Sequence, residues 1–216
     1  IEDIHKAALR GEEHLITPEN IEAWFEANYA NLSKAERVYL TEAPRQMAIK
    51  QVQRYASRQH GRWDQIREAE VDVSLVEPDY ILDGTIDLIK GKDDTVEIVD
   101  FKTTKKPDLY TQSDLLERYR RQLHVYAHLV AERTGQRVSK MHLYYTGEDA
   151  GSPLITWNYT TTAVKGTIQE FDHVAHQILS KNYSTPAQSR KTCRECDFRA
   201  YCEQTTFRKK ENPNDQ

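Results

Sequence analysis

Two aspartates and one lysine in the middle of the chain are the residues best suited to chemistry. Asp87 lies in a strand-like segment, residues 80–89, and Asp100 and Lys102 lie in the next one, residues 96–102. Because side chains alternate between the faces of a strand, Asp100 and Lys102 share a face. Carboxylates bind hard divalent cations, and an ammonium can act on a nucleophile or a phosphate. An acidic hairpin that only faces water is the alternative.

A hairpin loop at residues 91–94 would join these two segments. Folded symmetrically, this loop places Asp87 opposite Ile98 and Asp100 opposite Thr85. The two aspartates are then diagonal neighbours on one face, about 7 Å apart, and a divalent cation can bridge that gap. A slip of one residue would turn Asp87 to the other face.

The elements that must position these residues follow from hydrophobic periodicity and from turn residues. The pattern predicts helices first, then three strands of which the last two form the hairpin, then a helix, two further strands and a last helix. This order is that of one mixed α/β domain. We expect an N-terminal helical part, an α/β core, a cysteine-bearing segment and a disordered tail, at residues 1–62, 63–185, 186–206 and 207–216.

The composition favours a soluble globular protein, with 30% charged and 38% hydrophobic residues among 216. No apolar run is long enough to span a bilayer and no signal peptide is recognisable, so we expect a cytoplasmic location. The first residue, Ile1, already lies within a helical pattern, which indicates a piece of a longer protein. The net charge is −4, so any binding of nucleic acid would need a local patch of basic residues. Most such patches are solvated helix faces.

A glutamine interrupts the apolar stripe of the helix that follows the hairpin. Tyr119, Gln122 and Tyr126 are spaced by three and four residues, so they share one helix face. A buried amide needs hydrogen-bond partners. Gln122 is therefore either a residue of the site or a boundary residue that binds a loop.

Together these motifs closely resemble the PD-(D/E)XK nucleases of the RecB type. The order and the spacing agree over roughly residues 60–205, including a glycine three residues before the first aspartate. The segments that carry the resemblance are Gly84-Thr85-Ile86-Asp87, Asp100-Phe101-Lys102 and Tyr119-x-x-Gln122-Leu123-x-x-Tyr126. The resemblance implies the restriction-endonuclease-like fold, a mixed central sheet with flanking helices.

The resemblance also implies a metal site for nucleic-acid hydrolysis. Asp87, Asp100 and the backbone carbonyl of Phe101 would bind Mg²⁺ or Mn²⁺. Lys102 would position or activate the attacking water, and the metal would lower the pKa of that water and neutralise charge on the phosphate.

Further site residues follow from the same resemblance. Gln122 and Tyr126 would orient Lys102 or the scissile phosphate. Glu70 matches a glutamate that is often present on the preceding strand, although a solvent-facing residue explains it equally well. The family usually carries a histidine on an early helix, which we expect upstream of this chain; His5 is either that ligand or a packing residue.

Three cysteines, Cys193, Cys196 and Cys202, are clustered near the end of the chain. An odd, clustered set in a cytosolic protein favours metal ligation over disulfides, but a cluster or a zinc site needs four ligands. Similar nucleases supply a fourth cysteine far upstream, so we expect a structural [4Fe–4S] cluster in the full-length protein. A zinc site and three plain thiols are the alternatives.

The resemblance predicts a metal-dependent DNA nuclease that acts as an exonuclease on the ends of single-stranded DNA. Single-stranded DNA or the ends of duplex DNA are the expected partners. The expected context is the C-terminal part of a helicase–nuclease of the UvrD or RecB class, with helicase domains in the same polypeptide. A stand-alone CRISPR-associated nuclease and a DNA-binding module that has lost catalysis are the alternatives.

Overall fold

The computed structural model describes residues 1–92, 94–182, 194, 196 and 197, and in this part five strands form one sheet. The strands, β1 to β5, are Ile66–Val76, Ile81–Lys92, Thr95–Lys102, Arg137–Tyr145 and Leu154–Asn158. β1, β2 and β3 are antiparallel, β4 is parallel to β3, and β5 is antiparallel to β4. A parallel pair needs a long crossover, and a helix provides it here.

The described residues also form five α-helices near the positions that the sequence predicts. Helices α1 to α5 are Glu2–Leu9, Pro18–Glu36, Glu42–Gln59, Ser113–Thr134 and Thr161–Leu179. The Thr17 side chain caps α2 by accepting a bond from the Asn20 N–H. Gly135 ends α4 in the left-handed conformation, with φ of 67°.

Two apolar clusters lie on opposite faces of the sheet. On β3, Ile98 belongs to the cluster that α4 covers, and Val99 belongs to the cluster formed with α1, α2 and α3. Leu123 of α4 and Tyr55 of α3 are central residues of the two clusters, and each is almost fully buried. The mixed α/β fold with flanking helices is therefore confirmed.

The hairpin of β2 and β3 has a register two residues away from the expected one. Ile98 pairs with Ile89 and not with Asp87, because β2 extends to Lys92 and β3 already begins at Thr95. Thr85 pairs with β1 and not with Asp100. Because the shift is an even number of residues, it does not by itself turn Asp87 away from the face of Asp100.

Strand β1 changes faces at Glu70. Ala69 and Val71 pack in different clusters, although strict alternation would place both on one face. Glu70 lies between them in the left-handed region, with φ of 50°, and its expected ladder pair with Asp87 is missing. This irregularity of the ladder places Asp87 at a break in the sheet.

The chain divides into two compact units, residues 1–171 and 172–216. The site and the groove described below consist of residues of the first unit. No helix in the described part of the chain is long and apolar enough to cross a membrane. The segment boundaries expected at residues 62, 185 and 206 stay predictions.

Candidate active site

The ladder between β2 and β3 ends at the pair of Leu88 and Val99, and we call the opening beyond this pair the fork. Asp87 is the next residue on β2, and its Oδ2 accepts a hydrogen bond of 2.7 Å from the backbone N–H of Phe101. In an antiparallel ladder the N–H and C=O of one residue point to the same side. The Phe101 carbonyl is therefore also directed toward the fork.

Asp100 and Lys102 form a close ion pair on the α4 side of β3. The Lys102 Nζ lies 2.6 Å from Asp100 Oδ2, and the Asp100 side chain is only 5% exposed. Apart from this ion pair, Asp100 Oδ2 has no hydrogen-bond partner among the described residues. The prediction that these two side chains share a face is confirmed.

Helix α4 supplies a wall to the site. Gln122 Oε1 accepts a long hydrogen bond of 3.4 Å from Lys102 Nζ, and Gln122 Nε2 donates to the Tyr126 hydroxyl at 2.9 Å. The Tyr119 ring lies under the ammonium, 4.2 Å from Nζ to the ring centre. Of the two alternatives for Gln122, the structure favours a residue of the site.

Both aspartates have raised pKa values in the metal-free chain. Burial raises the pKa of Asp87, the nearby Asp100 raises it further, and the Phe101 N–H and Lys102 oppose the rise. Burial also raises the pKa of Asp100, against the effect of Lys102. Buried carboxylates at close range hold a proton more readily than free ones, and a bound cation would favour their charged forms.

Glu70 lies close enough to Asp87 for the charge of Asp87 to raise the pKa of Glu70. It is exposed at the surface, and partial burial of its carboxyl together with Asp87 and then Glu2 raises its pKa. The structure thus brings Glu70 to the edge of the site, where its side chain forms no hydrogen bond to another site residue in the described part of the chain.

His5 is a fully buried residue on α1. Its Nε2 lies 2.6 Å from the Tyr55 hydroxyl, and its ring packs 5.7 Å from the Phe101 ring. Burial, and then the N-terminal ammonium, lower the pKa of His5 to about 3, so the ring is neutral at pH 7. These contacts favour the packing role for His5.

Sequence reasoning missed two tyrosines as members of the site. Tyr145 pairs with Lys102 across the parallel β3–β4 ladder, and its buried hydroxyl has no hydrogen-bond partner in the described part of the chain. Burial raises the pKa of Tyr145 to about 12, with smaller effects from Tyr119 and Asp100. The spacing of Tyr119 from Gln122 was a usable signal, whereas nothing local marks Tyr145.

Gly84, the glycine of the first motif, has a steric role. A Cβ at this position would lie 3.0 Å from the Tyr126 ring, closer than ordinary contact. Glycine on β2 therefore lets Tyr126 approach the sheet, where its hydroxyl accepts the hydrogen bond from Gln122.

The donor atoms at the fork suit a hard cation. Asp87, Asp100 and the Phe101 carbonyl offer oxygen ligands, and the buried Asp100 Oδ2 has only the Lys102 ammonium as its partner in the described part of the chain. No group of three or more His, Cys, Asp or Glu side chains in the described residues is placed to hold a metal ion. Mg²⁺ commonly binds through one or two carboxylates and completes its shell with waters and substrate phosphates, so this set fits.

The predicted cysteine cluster falls mostly outside the described residues. Cys193 and Cys202 lie outside them, and Cys196 is described as an exposed free thiol. The iron–sulfur and zinc alternatives both stay predictions.

Residues 2–203 match the model of the PD-(D/E)XK nuclease superfamily. This chain belongs to that superfamily. The match covers nearly all of the 216 residues, and it agrees with the mixed sheet and with the aspartates at the fork.

Two solved structures resemble this superfamily member. A crystal structure of a "putative exonuclease" from Eubacterium rectale has a TM-score of 0.55 and 15% identity, covering 85% of this chain and 71% of that chain. This likeness shows the shared fold. The match to the crystal structure of SSO0001 covers 94% of this chain and 95% of that chain, with 16% identity and a TM-score of 0.43. No curated protein matches the chain in sequence.

Gln122→Leu is expected to slow nucleic-acid cleavage about tenfold, because it removes one bond to Lys102 and one to Tyr126 at nearly constant volume. Gln122→Glu keeps an acceptor for Lys102 and should retain more activity. Single-turnover cleavage rates measure both effects. Equal losses in the two variants would contradict a role of Gln122 in holding the lysine.

Proposed function

We propose that this chain is a Mg²⁺- or Mn²⁺-dependent deoxyribonuclease that hydrolyses phosphodiester bonds. The observation that carries the proposal is the fork, where Asp87 and Asp100 lie next to an ammonium that three neighbours hold in place. A member of a nuclease superfamily with this set of groups has what phosphate hydrolysis requires.

Asp87, Asp100 and the Phe101 carbonyl would hold the cation. When bound, the cation acts as a Lewis acid that lowers the pKa of water and neutralises negative charge on the phosphate. The raised pKa values of both aspartates fit this role, because a site built for a cation carries mutual repulsion when the cation is absent.

Lys102 would act on the reacting phosphate or on the attacking water. Its ammonium has the Asp100 carboxylate on one side, the Gln122 amide on another, and the Tyr119 ring beneath it. A donor that is already oriented costs little reorganisation when charge develops on the phosphate. Gln122 and Tyr126 are positioning residues for this lysine.

A DNA-holding module without catalysis is less consistent with the site. Two buried carboxylates repel the phosphates that such a module must hold, and their burial raises their pKa values. Only a bound cation turns these groups into an attractive feature for DNA. The geometry therefore favours an enzyme.

The finer assignments rest on the sequence alone. They are a preference for single-stranded DNA or duplex ends, helicase domains in the same polypeptide, a cytoplasmic location, and a structural [4Fe–4S] cluster on Cys193, Cys196 and Cys202 with a fourth cysteine. A stand-alone CRISPR-associated nuclease is the second candidate for the context, and the RecB type is proposed on the same grounds.

A cleavage assay with defined substrates tests the function. The chain is incubated with end-labelled single-stranded DNA, duplex DNA and RNA, in Mg²⁺, in Mn²⁺ and in excess chelator. We expect metal-dependent cleavage of DNA, fastest on single strands, and none in chelator. Asp100→Ala, purified in the same way, controls for contaminating nucleases. Cleavage that survives in chelator, or that Asp100→Ala retains, would overturn the proposal.

A further inference from the structure

A groove of about 330 Å³ lies on the sheet face opposite the α4 wall, between α3 and the loop that joins β4 to β5. Leu88, Val99 and Phe101 form its apolar floor, and Tyr144 lies beside them. Pockets for small ligands begin at about 300 Å³ and combine an apolar surface with a few polar groups. This groove has room for one small ligand or for one unit of a longer chain.

Three cations line the groove, and none of its lining residues is acidic. Lys90 is already paired with Glu97, at 3.0 Å. Arg58 and Arg62 form no ion pair with any carboxylate in the described part of the chain. The excess positive charge of the groove is therefore that of two guanidinium groups.

Backbone carbonyls hold these arginines in place. Arg58 donates to the Glu148 carbonyl at 2.8 Å and to the Asp149 carbonyl at 3.4 Å, and Arg62 donates to the Arg58 carbonyl. Carbonyls orient a guanidinium without cancelling its charge. An oriented, uncompensated guanidinium is suited to phosphate, which it can bind with two parallel hydrogen bonds.

Phe101 connects the groove with the fork. Its backbone N–H binds Asp87, while its side chain forms part of the groove floor. The Lys102 carbonyl in turn accepts a 2.8 Å bond from the N–H of Thr146, at the start of the loop that forms the other wall. The groove therefore lies directly behind the proposed catalytic centre.

We propose that this groove binds one nucleotide unit, with its phosphate on Arg58 and Arg62 and its base on the apolar floor. A phosphate alone would not need the apolar floor, and an apolar ligand would not need two unpaired guanidiniums. The inference rests on the proposed function, because DNA cleavage is the source of the nucleotide. The nucleotide is either a free product of that cleavage or a unit of the substrate strand.

Binding measurements on the full chain test this inference without cleavage, in an Asp100→Asn background. Calorimetry gives the affinity for deoxyadenosine monophosphate, and fluorescence anisotropy gives the affinity for a labelled single-stranded oligonucleotide. Arg58→Gln with Arg62→Gln should weaken binding at least about tenfold, because two charge-assisted contacts are lost. Arg10→Gln with Arg137→Gln removes the same charge outside the groove lining and should change neither affinity.

Two further variants guard against misfolding. Arg62→Gln alone removes a side chain that donates to the backbone carbonyl of Arg58, one turn earlier. Ser152→Trp fills the groove without changing its charge. Both should weaken binding while thermal denaturation stays cooperative. A loss for the mononucleotide indicates a free nucleotide as the ligand, and a loss confined to the oligonucleotide indicates a strand unit.

Unchanged affinity for both ligands in all groove variants would overturn the inference. This failure is distinguishable from failure of the proposed function. Groove variants that bind normally in a chain that cleaves DNA contradict the groove alone. A chain that never cleaves DNA but loses nucleotide binding in these variants contradicts the nuclease proposal alone.

Discussion

Asp87→Asn is expected to abolish metal-dependent DNA cleavage and to raise the melting temperature of the metal-free chain at pH 7. The substitution removes a charge that burial and Asp100 both disfavour. Asparagine keeps an oxygen that can accept the bond from the Phe101 N–H. Cleavage rates and thermal denaturation in chelator measure the two effects.

The direction of the stability change follows from the raised pKa of Asp87. A carboxyl whose pKa is raised by folding binds more protons in the folded state than in the unfolded state. The contribution of such a carboxyl to stability is fully present at a pH below its pKa in the unfolded state. This contribution is lost as the pH rises through its pKa in the folded state. At pH 7 the charged Asp87 therefore destabilises the metal-free chain, and each kcal/mol recovered shifts the melting temperature by about 2–4 °C.

Three comparisons sharpen this experiment. The advantage of Asp87→Asn should shrink as pH falls, because the original carboxyl then becomes protonated. Added Mg²⁺ should stabilise the original chain by mass action and should not stabilise the variant. Asp83→Asn, an exposed aspartate on the same strand, should change neither activity nor melting temperature. A less stable Asp87→Asn in chelator would contradict the argument.

Strand alternation alone was enough to predict half of the site. It places Asp100 and Lys102 on one face, and the structure puts their charged atoms 2.6 Å apart. Helical spacing likewise predicts that Gln122 and Tyr126 share a face, and they are hydrogen-bonded. These relations depend on residues close in sequence, where the geometry of a single element decides the outcome.

The relation between the two aspartates was predicted less well. The expected register treated residues 91–94 as a loop, because a glycine and three charged residues are typical of turns. The strands continue through part of this stretch, so the hairpin is tighter and the pairs move by two residues. The break at Glu70 has no local signal either, since a non-glycine residue with φ of 50° is rare in a strand.

Contacts between residues far apart in the chain could not be predicted from the sequence. Tyr145 enters the site through parallel pairing across a 22-residue helix, and Arg58 meets the β4–β5 loop 90 residues away in the chain. Both contacts depend on how helices and sheet pack together. No periodicity within one segment encodes such packing.

Lys102→Met is expected to lower the rate of cleavage about 10²–10³-fold, the usual cost of losing one oriented donor at a reacting oxyanion. Methionine keeps an unbranched apolar stem against the Tyr119 ring but removes the ammonium that contacts Asp100 and Gln122. Single-turnover rates at saturating Mg²⁺ separate this effect from weaker binding. Thermal denaturation checks that the fold persists.

The charge of Lys102 acts on Asp100 as well as on substrate. Lys102 opposes the burial that raises the pKa of Asp100, so its loss should raise that pKa further and move the pH at which the metal binds upward. Lys105→Met removes an equal charge three residues away, where the ammonium is exposed and paired with Asp149. That control should retain most activity, since exposed charges are screened within about 10 Å at 0.1 M salt. An equal loss in both variants would mean that the lysines act only through a general positive potential and not by contact at the fork.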